Sequence, residues 1–451
     1  MRKKTRLIIL LFCVVCFFAI APILVAYSMG YRFDFENRKI VATGGIYVRT
    51  FPTAEQITVD SNIFEKPGFF ANSIFVQSLL PKSHTVFIKK TGYYDYSKIL
   101  EVQENQVTKL ENVLLIKNNI SFSSIADNVD YFSVAPNNQS IITGASGTKS
   151  TTFNYFSLNN PTGESKTFSV PQIGNANIKW SDNSSTALIS LQNSANTFYY
   201  LYDSAPTKPL AIRLSYLDKN SELIAFSPQD PKTVFYIKNN TLYSVSGNNS
   251  LPVINNIVSF KLTGSGIVWL STKGALLNSD FSGKLISQNS AENFAVNTKK
   301  QYEILLIQGK TFLKENDLLF EFNQAKKAFE EFLTPAISNY KILTSPDNKN
   351  LIYQNSEKIF LYSSDIANPN SKKIFTEIFS GTQITDLQWL NNDYIIFGDN
   401  GKVIISEIDY RGSINTITLP QTALSMFFNQ QTGKLYVLSE NSILVSEKIT
   451  P

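Results

Sequence analysis

The chain of 451 residues is 43% apolar and 13% aromatic, with 33 Phe and 21 Tyr but only 17% charged residues, below the roughly 25% of an average soluble domain. This excludes a disordered chain, and the length allows two or three domains. Net charge is +5, of which Arg2, Lys3, Lys4 and Arg6 carry four, so the remainder carries +1 and nucleic acid is not expected as a partner.

The cationic tip leads into an apolar run from Leu7 to Ala26, 20 residues long. A helix rising about 1.5 Å per residue crosses a hydrocarbon core of about 30 Å at that length. The positive-inside rule places the tip in the cytoplasm and the chain from Tyr27 onward outside, as a single-pass protein of the cell membrane. A secretory core is shorter, about 7–15 residues, and ends in a small-x-small site. Here the one such pattern, Ala19 to Ala21, is followed by Pro22, so an uncleaved signal anchor is expected. Tyr27, Tyr31 and Arg32 stand where an interfacial belt belongs. Cys13 and Cys16 mimic a redox or metal spacing, but a lipid-facing helix gives a thiolate no electropositive environment, and they read as small apolar residues. Phe12 before Cys13 argues against a lipoprotein site. The exported part has no cysteine, so it needs a core that stands without disulfides.

Residues 1–29 are thus a basic tip and anchor. Residues 30–44 form a juxtamembrane stretch, a single strand or a stalk, with Tyr31, Phe33 and Phe35 alternating against Arg32, Asp34 and Glu36. Residues 45–117 are a series of short strands with period-2 alternation, at 45–49, 55–60, 84–89, 97–102 and 107–116. Turn signals separate them at Phe51-Pro52, Lys66-Pro67-Gly68, Leu80-Pro81-Lys82 and Thr91-Gly92. This predicts a small β-sandwich.

The stretch Gly45 to Ile116 resembles the PEGA domain, a β-sandwich module of bacterial and archaeal envelope proteins. The resemblance rests on Thr50-Phe51-Pro52-Thr53-Ala54, the strand ending in Asp60, the Lys66-Pro67 turn, Leu80-Pro81-Lys82-Ser83-His84-Thr85-Val86 and Lys90-Thr91-Gly92-Tyr93. Thr53 stands where the family motif has Gly, and Lys82 where a Gly usually follows the Pro. Both are turn positions, so the departures touch a shared ligand surface and not the fold. The family resemblance implies a binding or structural module with no established catalysis. His84, the single histidine of the chain, falls where the family pattern places one. As a lone imidazole it cannot assemble a His-based metal site, and it reads as a structural residue at a strand edge.

Residues 118–451 repeat a unit of apolar strand, polar turn, second apolar strand, polar turn and a third strand with aromatics. Clear copies lie at 132–143, 178–190, 224–237, 342–353, 387–397 and 426–437, and weaker ones at 258–270 and 294–307. Equivalent turn positions such as Pro136, Asp182, Pro228, Pro346 and Asn391 are spaced by about 45 residues or a multiple of it, the period of a four-stranded propeller blade. Ser-Pro-Asp turns preset φ and bond back to the backbone. The pattern resembles TolB and WD40-like propellers, without the Gly-His and Trp-Asp signature. The fold class expected is therefore all-β, with a β-propeller of seven or eight blades, eight favoured. The last copy runs out at Val445 after three strands, so the strand from Ile120 to Ile125 is predicted to complete it. Asn323 to Leu333, with Ala325, Phe329 and Phe332 or Leu333 at helical spacing and Pro335 beyond, predicts a short helix inserted between blades.

No Gly-x-Ser-x-Gly elbow, phosphate loop, His-Glu-x-x-His or dinucleotide fingerprint is present. A serine triad would need a base, and His84 lies in the other domain. Asp399-Asn400-Gly401 resembles the start of a calcium loop but lacks the later carboxylates, and reads as a hairpin turn. No catalytic, cofactor-binding or metal-ligating residue is therefore assigned. The reading is a non-enzymatic, membrane-anchored envelope protein whose propeller is a platform for a protein or glycan and whose PEGA-like module contacts cell-wall polymer. The alternative is a propeller-based carbohydrate-active or peptidase-type enzyme, which a cluster of two or three acidic residues such as Asp182, Asp347 or Asp393 converging on one funnel would favour.

Overall fold

A computed structural model describes residues 3–60, 62–65, 72–159, 165–205, 210–247, 249–290, 292–332, 334–335, 337–363 and 374–450. Among these residues the chain forms one helix, α1 (Lys3–Ser28), and is otherwise built of strands. The stretch Ile9–Ser28 of α1 is long and apolar enough to cross a membrane, as an anchor or as a signal sequence, and none of it is buried in protein. The chain, α1 included, divides into two compact units: residues up to Ile120 with Ser406–Ile417 and the chain from Ile449, and Ser121–Ile405 with Thr418–Lys448. The segment Ser406–Ile417 thus groups with the first unit, although by sequence it falls inside the range read as propeller.

In the first unit the juxtamembrane stretch is neither a single strand nor a stalk. It is a hairpin of β1 (Tyr31–Asp34) and β2 (Lys39–Ala42), closed by Asp34, whose Oδ1 accepts the amides of Glu36 (3.0 Å) and Asn37 (3.2 Å). Seven strands follow: β3 (Gly44–Phe51), β4 (Gln56–Val59), β5 (Asn62–Glu65), β6 (Ser73–Leu79), β7 (Ser83–Lys89), β8 (Tyr96–Glu101) and β9 (Val107–Leu114). They make two sheets, β6-β3-β9 and β5-β4-β7-β8. Ile46, Val48 and Val76 of one sheet share a core with Ile57, Val86 and Ile88 of the other, which is the expected sandwich. Strands β5 and β6 were not foreseen. In β6 only Val76 is buried, so the strand shows little apolar alternation. The Lys66-Pro67-Gly68 turn lies outside the described residues.

The second unit holds eight four-stranded sheets among the described residues. Seven are built from consecutive strands, at 131–170, 175–213, 222–255, 257–288, 302–332, 341–380 and 384–422, here blades 1 to 7. Blade 8 takes three strands from 425–448 and its fourth from Phe122–Asp127, which pairs antiparallel with Ser442–Lys448, as expected. Second strands such as Thr186–Gln192 and Lys434–Ser439 are buried on both faces, which is why they read as apolar runs without alternation. Each blade packs on the next. Shared cores join blades 1–2, 2–3, 3–4, 4–5, 5–6 and 8–1. Phe379 and Phe397 meet at 4.6 Å between blades 6 and 7. Gln388 Oε1 accepts the Phe428 amide at 3.0 Å between blades 7 and 8. The ring is closed, and the unit is an eight-bladed propeller.

The repeated turn joins blades as well as strands. Asn137 N donates to Ser184 Oγ (2.9 Å), Thr186 Oγ1 to Pro231 O (2.6 Å), Asp347 N to Asn392 Oδ1 (3.1 Å) and Asn429 Nδ2 to Asn138 O (2.8 Å). Each bond links one blade's first turn to a neighbour's. Asn138, Ser184 and Asn348 occupy equivalent left-handed positions, with φ of 57°, 62° and 58°, which short polar side chains tolerate best. The two weak copies are weak because their turns have two residues. In blade 4 Gly264 and Ser265 connect the strands, and in blade 5 Gln308 and Gly309 do so. Phe294, read as part of the blade 5 copy, lies in the connection before the first strand, Tyr302–Ile307.

The helix expected at 323–333 is absent from its described residues. Leu318–Asn323 and Ala328–Phe332 are paired strands of blade 5, joined by a turn in which Asn323 Oδ1 accepts the amides of Ala325 (3.0 Å) and Lys326 (3.1 Å). The blade needs its fourth strand, and that pairing overrides local helix propensity. Leu333 itself lies outside the described residues.

Candidate binding face of the propeller

The first strand of each blade is innermost, and its alternate side chains meet the central channel. Lys179 in blade 2, Glu222 in blade 3, Lys261 in blade 4, Glu303 in blade 5 and Lys341 in blade 6 are all exposed there. Where the inner strands of blades 3 and 5 begin, a cleft of about 450 Å³ opens, lined by Lys219, Glu222, Lys300, Tyr302, Glu303 and Lys314 among others. Its wall is stiff. Glu315, nearly buried, accepts the hydroxyl of Tyr302 at 2.6 Å and the ammonium of Lys300 at 2.9 Å. The Asn297 amide donates to the same hydroxyl at 2.8 Å.

Lys300 pairs with Glu315 in the cleft wall, whereas Lys179 and Lys314 hold backbone carbonyls. Lys179 donates to the Ile224 carbonyl at 2.5 Å. Its side chain reaches channel water but is walled in by protein, and that desolvation, with repulsion from Lys261, holds its ammonium below the ordinary lysine value against the pull of Asp182 and Glu303. Lys314 donates to the Tyr340 carbonyl and lies 4.3 Å from the centre of the Tyr340 ring. Desolvation lowers it too, Glu303 and Asp317 oppose, and Lys341 adds repulsion. Glu303 therefore acts on two lysines at once, leaving cationic sites that an incoming anion would stabilise.

Of the three acidic residues singled out by sequence, Asp182 acts on Lys179, and the other two stand in other blades. Asp182, Asp347 and Asp393 occupy first turns of blades 2, 6 and 7, so only the last two are neighbours. Asp347 is engaged within its turn by Ser345 Oγ (2.7 Å) and the Lys349 amide (3.2 Å), which keep its carboxyl below the usual value. The Asp393 amide donates to Asn391 Oδ1 at 2.8 Å. No group of three or more His, Cys, Asp or Glu among the described residues is arranged to hold a metal ion. Asn400 and Gly401 have φ of 50° and 77° between two paired strands, the hairpin turn expected, and Asp399 Oδ1 accepts the amides of Thr382 and Gln383, each at 2.9 Å. Cys13 and Cys16 are unpaired in α1.

In the first unit His84 is 3% exposed. Its Nδ1 lies 2.7 Å from Asp60 Oδ2 and its Nε2 2.8 Å from the Leu80 carbonyl. Both ring nitrogens are engaged, as suits a structural residue, but the carboxylate partner was not visible in the spacing. No family model matches the sequence, and no curated protein is similar enough to count as a relative. One solved structure, described as "Structure of Dos1 propeller", aligns at a TM-score of 0.46 with 11% identity, over 73% of this chain and 95% of that one.

Proposed function

We propose that the protein is a membrane-anchored, extracytoplasmic binding platform of a cell envelope, non-catalytic, whose propeller takes an anionic group of a protein or glycan at the mouth of its central channel. The observation that carries this reading is the cluster of Lys179, Lys261 and Lys314 around Glu303, with two of the ammonium groups held in desolvated positions. What supports binding over the alternative, a propeller-based hydrolase, is that the Asp347 carboxylate is held within its own turn and that Asp182 stands three blades from the nearer of Asp347 and Asp393. The PEGA-like reading of the sandwich, with cell-wall polymer as its ligand, and the TolB-like reading of the propeller remain parts of this proposal.

The test uses the full-length protein in nanodiscs, sedimented with purified cell-wall sacculi and titrated with poly-glutamate as a soluble polyanion. Binding that weakens at least about tenfold in a Lys179→Met/Lys314→Met variant, and weakens with salt, supports the channel mouth as the site. Binding unaffected by that variant overturns it. Turnover of a glycan or peptide substrate by the wild type would favour the hydrolase.

A further inference from the structure

The hairpin after α1 carries a face that nothing in the first unit covers. Tyr31, Phe33 and Phe35 alternate along one side, and Phe33 stands opposite Ile40 in the register. These four side chains are 40%, 47%, 83% and 68% exposed, and Phe33 and Phe35 meet edge to face at 5.0 Å. The other side holds Arg32 and Asp34 opposite Val41 and Lys39. Val41 and Asp34 are buried.

The hairpin is not free to turn over. Arg32 donates to the Tyr27 carbonyl at the end of α1 (2.7 Å) and to Ser78 Oγ of the sandwich (3.2 Å), with its guanidinium 3.4 Å from the centre of the Tyr27 ring. Glu36, at the tip, pairs with Lys82 of the sandwich at 2.7 Å. Thr43 donates both its amide (2.9 Å) and its hydroxyl (2.6 Å) to the Gly30 carbonyl. The polar side is thus tied to the sandwich, and the aromatic side looks away from it, beside the end of the apolar helix.

We infer that this face is a second membrane contact, with Phe33, Phe35 and Ile40 seated at the boundary between headgroups and acyl chains. The inference rests on the anchor reading of α1. The occupant is lipid because the face is continuous with the helix. Tyr27, Met29 and Tyr31, exposed between the two, are 59%, 68% and 40% accessible. Aromatic rings with polar backbone behind them suit the interface, where an amphipathic element sinks about 5–10 Å. A two-point attachment would orient the sandwich on the bilayer, which a lone helix followed by a flexible stalk would not do.

The experiment places a spin label at single cysteines in a Cys13→Ala/Cys16→Ala background of the full chain in nanodiscs. Phe35→Cys reports the hairpin, Val15→Cys the helix and Asp95→Cys an aqueous reference on the sandwich. All three positions are exposed, so labelling should not disturb the core. The expected result is a Phe35 label more accessible to oxygen than to a water-soluble relaxant, at shallower depth than the Val15 label. A Phe35 label as aqueous as the Asp95 label, with Val15 in lipid, overturns the hairpin contact and leaves the anchor standing. An aqueous Val15 label overturns the anchor, and the hairpin contact with it.

Discussion

The ammonium of Lys98 lies 2.6 Å from Oε1 of Glu407, and the two side chains are 0% and 4% exposed. The pair sits inside the first unit, where Ser406–Ile417 lies on β8. The carbonyls of Asp409 (2.5 Å) and Ser413 (3.2 Å) complete the shell of Lys98. Tyr96 OH and Asn415, each at 2.8 Å, complete that of Glu407. A buried ion pair contributes little net stability against an apolar replacement, but breaking one side strands a charge.

Lys98→Met is therefore expected to destabilise by about 3–5 kcal/mol. The double variant Lys98→Met/Glu407→Leu should recover part of that loss, since no unpaired charge remains. Denaturant unfolding of the full chain in detergent measures both. A single variant as stable as the wild type would show that the pair is not buried as described.

Asp60, hydrogen-bonded to His84, sets a pH dependence. Burial raises the Asp60 carboxyl, but the His84 hydrogen bond and the Thr85 amide outweigh it, and its value falls below the ordinary 3.8. A depressed folded value means that the contribution is present above the unfolded value and is lost as pH falls through the folded one. Asn accepts the left-handed backbone at this position, where φ is 53°, so Asp60→Asn isolates the charge. The variant should be less stable than the wild type at about pH 5 and approach it at about pH 2. A difference that stays constant across this range would sink the assignment.

The second strands of the blades were legible because they are buried on both faces and follow a turn that needs a left-handed residue, which leaves Asn, Asp or Ser leading into an apolar run. The charged channel mouth was not. Lys179 and Glu303 each look like polar residues on an ordinary strand, and only the closing of eight blades sets them around one channel. Asp60 and His84, 24 residues apart in sequence, meet only because β4 and β7 are neighbours. The false helix has a similar cause. Phe329 and Phe332, at helical spacing, lie on opposite faces of one strand, one in the core shared with blade 4 and the other in that shared with blade 6. Because a blade is buried on both sides, a strand can carry apolar residues at odd spacing.

Alkaline unfolding should be steep. Burial, aided by the Glu315 hydrogen bond, pushes the Tyr302 phenol up to about 12, and burial raises Tyr202, Tyr340 and Tyr353 further. A raised folded value gives stability that is complete below the unfolded value near 10 and lost as pH rises through the folded one. Phenolate absorbance should therefore rise in two phases, exposed tyrosines first and the buried set together with loss of circular dichroism. A single gradual rise with the strands intact would contradict the burial of these rings.

The last prediction concerns how the ring is held shut. Asn429 is 0% exposed, and its Nδ2 donates to the Asn138 carbonyl of blade 1 while its Oδ1 accepts the amides of Gln431 (3.0 Å) and Thr432 (3.1 Å). Asn429→Leu removes the partner of the Asn138 carbonyl at the joint between the last blade and the first, a loss of about 1–3 kcal/mol if that group is left unsatisfied, together with the acceptor of two turn amides. Asn392 makes the corresponding link between blades 6 and 7, accepting the Asp347 amide at 3.1 Å, but at an exposed position. Water can replace it there, so Asn392→Ala should stay within about 0.5 kcal/mol of the wild type. The same turn motif is thus expected to matter at one joint and not at the other, with burial deciding between them. Equal losses in the two variants would mean that the turn bonds, and not the exclusion of water from the closing joint, set the stability of the ring.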